Sequence, residues 1–436
     1  MPSTTWDLRA PFHLLRRHRD LRLLLSAGLV SLSGDWVLGV GLAYSVYALT
    51  GSTLASAATL LSSFVPQVLV GSVAGVFVDR WDRKRTMVVT NLLLAVGLLP
   101  LLVVSGADRI WLVYLVLAFE SIVEVFFAPA EQAFLPRVVP DEDLVAANAL
   151  NGQVRNLARL LGSGLGGVAA ALGGITAIAV ADAATFLVAA VLIARIRESG
   201  KALQPPEGEA AEVVRGRMGA LVDEWRAGLR ATWHTPVVRA LIIFTLITSA
   251  GEGIMGTLFA PYVRHVLHSG AQVYGVITGV QAIGGILGGF LVAALHDRWS
   301  PVIMLAAGAM VFGLVDLAIF LYPLLWVSPW PAAVGMVLVG LPGAVTVVGF
   351  QTLLQRHTRD AERGRVMSLE MLAGSVTVVV GSLAAGLLGD RIGIMPVLAV
   401  QGGGYVVAGL LMFGLLDRSA GRAPAAATLD LPGTRS

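Results

Sequence analysis

Nine ionisable side chains interrupt the long apolar runs of this sequence: Asp35, Glu120, Glu124, Glu131, Arg155, Arg159, Asp182, Glu252 and Asp316. Glu120 and Glu124 stand one helical turn apart, with Glu131 further along that face, and Arg155 and Arg159 repeat the four-residue step. Asp35 follows Gly34, and Glu252 follows Gly251. A charge at mid-bilayer costs at least about 2.5–3.5 kcal/mol on insertion scales, so such groups face protein or water and have a task. The chemistry open to them is proton carriage, because a carboxyl group in a poorly hydrated site can hold and release a proton near neutral pH. The plainer alternative is pairing within the fold. Arg155 and Arg159 would then neutralise Glu124 or Glu131, and Asp182 and Asp316 would be structural or interfacial groups.

Other chemistries find no support. The chain has no cysteine, hence neither disulfides nor thiolate metal sites. Its seven histidines lie at the ends of apolar runs or between them, without metal-ligand spacing. There is no nucleophile constellation and no phosphate-binding loop. The expectation is a protein that is not an enzyme, needs no cofactor or metal and is not driven by ATP. A net charge of +3 gives no reason to expect a nucleic-acid partner.

The elements that must position these groups follow from composition. The 436 residues are 56% hydrophobic and 14% charged, with a mean hydropathy of +0.78. Soluble domains carry roughly 25% charged residues. An integral membrane protein is expected, with the lipid bilayer as its first partner. Windows of about 20 apolar residues place twelve spans near 22–49, 52–78, 86–105, 109–136, 144–173, 175–195, 237–263, 271–296, 301–322, 329–356, 366–389 and 393–416. Asp35 then lies roughly 20 Å into span 1 at 1.5 Å per residue, and Glu252 at the equivalent depth of span 7. These lengths mean helices; the ten-residue alternating strands of an outer-membrane barrel are absent. The N-terminal MPSTTWDLRAPFHLLRRHRDLR is broken by five arginines and leads into a run too long for a signal peptide, so it reads as a retained arm.

With the N-terminus in the cytoplasm, 25 of the 31 Lys and Arg residues fall on the cytoplasmic side and three, Arg109, Arg264 and Arg391, outside. That is the bias of the positive-inside rule. It predicts a multi-pass protein of the cell (inner or plasma) membrane with both termini cytoplasmic. The predicted organisation is an N-terminal arm (1–21), a six-helix bundle (22–195), a cytoplasmic linker with an amphipathic helix (196–236), a second six-helix bundle (237–416) and a disordered tail (417–436).

The two bundles read as copies of one unit. Gly34-Asp35 recurs as Gly251-Glu252, and Gly71 with Asp79-Arg80 recurs as Gly289 with Asp297-Arg298. Gln132 recurs as Gln351, and Gly162-Ser163 as Gly381-Ser382. The offset drifts only from 217 to 219. Parallel six-span repeats suit an alternating-access transporter, whose halves rock about a central site.

The stretch GVFVDRWDRKR, residues 75–85, carries the resemblance. Gly75, Asp79, Arg80, Arg83 and Lys84 are similar to the loop 2–3 signature of the major facilitator superfamily, with Asp82 where a glycine is usual. The second copy is eroded: Ala293 replaces the glycine and no basic cluster follows Arg298. ARLLGSGLGG resembles the superfamily's antiporter motif, with Ser163 in place of its proline. SLSGDW, PAEQAFLPRVVPDEDLVAANALN and RNLARLLGSGLGG resemble the branch of siderophore and macrolide exporters.

The resemblance implies an all-α fold of twelve helices in two pseudo-symmetric bundles, with spans 1, 4, 7 and 10 lining the cavity. Asp35, Glu120, Glu124 and Glu252 would then face substrate and protons, with Arg155 beside them and Gln281, Gln351 and Trp36 as further lining. Asp79 would latch onto the N-terminus of span 11, whose helix dipole favours a carboxylate, with Arg80 and Arg83 pairing to carboxylates nearby. Asp297 would be its counterpart facing span 5. The expected function is proton-coupled export of small amphipathic molecules such as drugs, siderophores or metabolites, by a monomer. A proton-coupled importer and a lipid-moving or sensor protein are the alternatives.

Overall fold

The computed structural model describes residues 10–78, 81–201, 235–295, 298–358 and 360–416, with side chains for 14–70, 81–201, 235–295, 298–358 and 363–416. The described residues form helices and turns, with no strand. Asp79, Arg80, Asp297, most of the linker with its amphipathic segment, and the tail lie outside them, and Gly75 is described in backbone only.

Eleven stretches are long and apolar enough to cross a membrane. Spans 1 to 4 are Arg19–Thr50, Thr53–Val78, Arg83–Gly97 and Trp111–Phe134. Spans 7 to 12 are Pro236–Pro261, Ala271–Leu295, Pro301–Leu321, Trp330–His357, Asp360–Ile392 and Ile394–Leu415. The remaining helix, Leu144–Ala194, has 51 residues. At 1.5 Å per residue it is about 77 Å long, more than twice a hydrocarbon core of roughly 30 Å. It breaks at Gly173 (φ −147°, ψ 17°) and Gly174 (φ 56°, ψ −145°). Only a residue without Cβ takes Gly174's backbone angles cheaply. The helix is therefore spans 5 and 6, and the crossings number twelve.

Span 3 is shorter as an α-helix than its apolar run. Pro100, which has no N–H to give, stands where the chain tightens into the 3₁₀ turn Leu99–Val103. Its start explains the second aspartate of the charged loop: Asp82 accepts a hydrogen bond from the Arg85 amide at 2.9 Å and caps the helix. The basic residues at this end tie elements together. Lys84 donates to the Ile196 carbonyl (2.7 Å), Arg137 to the Lys201 carbonyl (2.7 Å), and Asp20 accepts from the Arg197 and Glu198 amides. His18 pairs with Asp143 at 2.8 Å. This is called the basic end below.

Each half has its own apolar cores. In the first half they gather around Leu42, Leu101 and Ile178 and around Leu21, Met87 and Phe134; in the second, around Leu241, Leu305 and Met412. A further core around Tyr262, Phe320 and Leu398 takes in Val40 and Tyr44 of span 1 and so joins the halves. The repeat is visible in the packing. Gly162 of span 5 lies against the Ser33 carbonyl of span 1, and Gly381 of span 11 lies against the Ala250 carbonyl of span 7.

At the end opposite the basic one, the halves are closed on each other. Span 5 meets span 8 with Gly167 on the Ala271 carbonyl and Gly275 on the Ser163 carbonyl. Span 2 meets span 11, where Thr53 donates its hydroxyl to the Gly386 carbonyl (2.8 Å) and its amide to Asp390 (3.2 Å). Over these contacts Tyr44 donates to the Ser269 carbonyl (2.9 Å) and accepts from Arg264 (3.2 Å). Arg264 leaves the turn Tyr262–Val266, a π-helical widening just after Pro261.

Candidate functional site

At mid-depth the polar side chains fall into two groups, one in each half. The second-half group surrounds a cavity of about 190 Å³. Span 7 supplies Glu252, Met255 and Phe259, span 8 supplies Tyr274, Thr278 and Gln281, and spans 9, 10 and 12 supply Phe312 and Asp316, Met336, and Gln401. Arg159 enters from the first half. Glu252 is exposed to this space and accepts from the Tyr405 hydroxyl at 2.5 Å. Behind it Asp316, 2% exposed, accepts from the Gln401 amide at 2.6 Å. Tyr405 in turn stacks against Phe312, ring centroids 4.4 Å apart. Both carboxyl groups are thus held by donors from span 12, and the walls between them are aromatic and thioether groups.

Arg159 bridges the halves. It donates to Gln281 across the interface, and its guanidinium lies 4.9 Å from the centroid of the Trp36 ring. The expectation that it neutralises Glu124 or Glu131 is corrected here; Arg155 alone does so, 3.5 Å from Glu131. Arg155 is half-exposed and Glu131 is buried. The difference is one of depth: Arg155 lies a turn nearer the basic end, beside Glu131, whereas Arg159 lies a turn nearer the Ser163 and Gly167 positions that meet span 8.

The first-half group is acidic. Asp35 of span 1, Glu120 and Glu124 of span 4 and Asp182 of span 6 lie close enough for their charges to act on one another. Glu120 is 5% exposed and Asp182 fully buried. No ion pair reaches any of the four among the described residues. The structure therefore brings Asp35, Glu120 and Glu124 together, but apart from the cavity that Glu252 lines and that all four were expected to face. Of the three residues expected as further lining, Gln281 lines the cavity, Trp36 lies beside Arg159 without lining it, and Gln351 is exposed on span 10. Arg83 donates to the Ala133 carbonyl and Lys84 to that of Ile196, so both fasten spans of the first half together; Arg298 is exposed.

Sequence reasoning set aside two participants. Asp182 and Asp316 were expected to be structural or interfacial, and each belongs to one of the two polar groups. A signal for the first was available: Asp182 and Gln401 are 219 positions apart, the offset of the other repeat landmarks. Glu370 of span 11, which accepts from Thr245 at 3.2 Å, was not singled out at all.

Residues 10–427 match the family described as transmembrane secretion effector. The chain is 28% identical over 387 residues to the multidrug efflux pump Tap of Mycolicibacterium fortuitum, across 86% of this chain and 90% of that protein. It is 24% identical over 369 residues to macrolide efflux protein A of Streptococcus pyogenes, across 84% and 88%. It is also 25% identical over 422 residues to the MFS-type transporter YfiS of Bacillus subtilis, across 91% and 93%. Among solved structures, a D-xylose-proton symporter superposes with a TM-score of 0.69 at 12% identity, covering 93% of this chain and 99% of that one. A bacterial homologue of the lysosomal transporter Spinster, inward-facing and unoccupied, gives 0.65 at 14%, covering 91% and 95%. At such identities the structures show a shared fold.

Proposed function

The chain belongs to the transmembrane secretion effector family of major facilitator transporters, a multi-pass membrane transporter and not an enzyme, and from that premise we propose that it exports small amphipathic molecules by proton antiport. The observation that carries the reading is the pairing of an apolar, carboxylate-bearing cavity in one half with a carboxyl cluster in the other, beneath a closed far end. Efflux relatives support the direction of transport. The basic end is then cytoplasmic, by the charge bias of the loops, and the membrane is the cell membrane.

In this reading substrate enters from the basic end and lies on Phe259, Phe312 and the two methionines. Glu252 and Asp316 favour a basic group on it. The cavity is smaller than the roughly 300–1,000 Å³ of typical small-molecule sites, so a drug-sized substrate must displace side chains. Met255 and Met336 suit that, being unbranched and easily rearranged. Protons use Asp35 with Glu120 or Glu124. Rocking of the halves parts spans 5 and 8 and spans 2 and 11, and exposes the site to the far side. Asp79 and Asp297 latch the basic end in the alternate state.

The test is efflux of ethidium and of a macrolide from cells lacking their own pumps. Efflux should stop when a protonophore collapses the gradient. Asp35→Asn should abolish uphill efflux while leaving gradient-free exchange intact. Uphill efflux that persists with the protonophore refutes the coupling; accumulation in right-side-out vesicles would instead mean import.

A further inference from the structure

Asp182 is the most deeply buried carboxylate among the described residues of the first half, at 0% exposure. It projects from span 6 onto span 1 at Gly34, where the place of a Cβ is filled by Asp182 Oδ1 and Thr185 Oγ1. Any larger residue at 34 would displace this carboxylate. The one hydroxyl proton of Thr185 is shared between the Asp182 backbone carbonyl at 2.7 Å and Oδ1 at 3.1 Å. The other oxygen, Oδ2, is buried without a donor, and so are Asp35 Oδ1 and Glu120 Oε1.

The second half gives the comparison. Gln401, 219 positions on, occupies the same place: its Cγ is 2.9 Å from where a Cβ on Gly251 would lie, one residue before Glu252. There the side chain is a neutral amide, it donates to Asp316, and Glu252 has Tyr405. Glu252 and Asp316 thus each have a side-chain donor. The first-half cluster has three orphaned oxygens and no cation. Leaving such groups unsatisfied is costly. A proton resolves it, since a neutral carboxyl is a donor as well as an acceptor and can hydrogen-bond its ionised neighbour. Among the described residues no acidic group has the arrangement for a metal ion.

We propose that Asp182 is a second proton-binding carboxyl, sharing its proton with Asp35 across the contact of spans 1 and 6 at Gly34. Hydronium gives its proton to a carboxylate oxygen, leaving water and a neutral carboxyl; release returns the proton to water. The groups facing this site are Asp35 of span 1, Glu120 and Glu124 of span 4, and no other titratable residue of span 6 itself. Span 3 bears its charges only at its start, as Arg83, Lys84 and Arg85. Arg155 and Arg159 of span 5 are engaged with Glu131 and with Gln281 and Trp36. The role in transport rests on the antiport reading above; proton binding itself does not.

The test is infrared difference spectroscopy of the purified full-length protein across a pH titration, following the carbonyl stretch of neutral carboxyl groups. Asp182→Asn and Asp182→Gln, the latter being the side chain the second half already uses, should each lose part of that band and move the midpoint of the remainder. Asp35→Asn, at a less buried position, should move the midpoint of what Asp182 contributes. An unchanged band in a folded Asp182 variant, or an unchanged midpoint in Asp35→Asn, overturns the proposal. Protonophore-sensitive ethidium accumulation in everted vesicles, the equivalent of efflux from cells, is read alongside. Loss of the band with wild-type efflux that is indifferent to the gradient sinks the antiport reading and upholds the site; intact coupling with an unchanged band does the reverse.

Discussion

Gly275→Ala puts a methyl group into the contact between spans 5 and 8. Its Cβ would stand against the Ser163 carbonyl and 3.0 Å from both Cα and N of Gly167. All three are backbone atoms, so no side chain can swing aside. Overpacking a filled contact costs about 1–3 kcal/mol. The cost falls only on the state in which spans 5 and 8 touch. The gain in helix propensity from Gly to Ala, up to about 1 kcal/mol, applies in every state and cancels from the conformational equilibrium. The closed far end should therefore lose population by about 5- to 150-fold relative to the open one. The chain has no cysteine, so Ser163→Cys supplies a single reporter, 0% exposed while the contact holds. In right-side-out vesicles, labelling by an impermeant maleimide added outside should accelerate with Gly275→Ala, and net ethidium efflux should fall. Gly164→Ala is the control, beside the reporter on span 5 with nothing within 4 Å of its Cβ; it should label like the parent. Equal labelling in the two variants would refute the assignment of this contact as the seal.

Tyr44→Phe removes two hydrogen bonds over the same end, each worth about 0.5–1.5 kcal/mol; it should raise outside labelling in the same assay without changing the amount of folded protein. Gln401→Leu strips the donor from buried Asp316 and should lower stability by roughly 1–3 kcal/mol, read as a lower melting temperature in detergent. Arg159→Gln breaks the bridge between the halves and should depress ethidium efflux severalfold. Arg155→Gln removes the partner of buried Glu131 but leaves the Gln281 and Trp36 contacts intact, so it should lower the melting temperature and leave efflux nearer the parent's; equal loss of efflux in the two arginine variants would contradict the separation of their roles.

The spans were legible because hydrocarbon imposes a length and an apolarity that few other environments demand. Even the two-glycine boundary between spans 5 and 6 could be read. The repeat was legible from landmarks whose spacing hardly drifts, and Gly162 and Gly381 now sit on equivalent carbonyls. Rotation about the helix axes was harder to read. Arg155 and Arg159 share a face by spacing, yet one meets Glu131 and the other crosses to Gln281, because a long side chain reaches whichever neighbour its depth presents. Asp182 and Asp316 were undervalued because spans 6 and 9 were placed away from the cavity. Their reach past a glycine on the neighbouring helix, in the case of Asp182, is a tertiary fact with no local signature.

The elbow at Gly173 and Gly174 leaves spans 5 and 6 almost no slack. From Gly167 to the elbow is about 10 Å of helix, and from the elbow to Asp182 about 12 Å. A tilt that lifts span 5 off span 8 is passed round a two-residue corner instead of being absorbed by a loop. Span 1 packs on both arms of that corner, through Ser33 on Gly162 and Gly34 on Asp182, so a tilt of span 5 carries Asp35 and Asp182 along within one body.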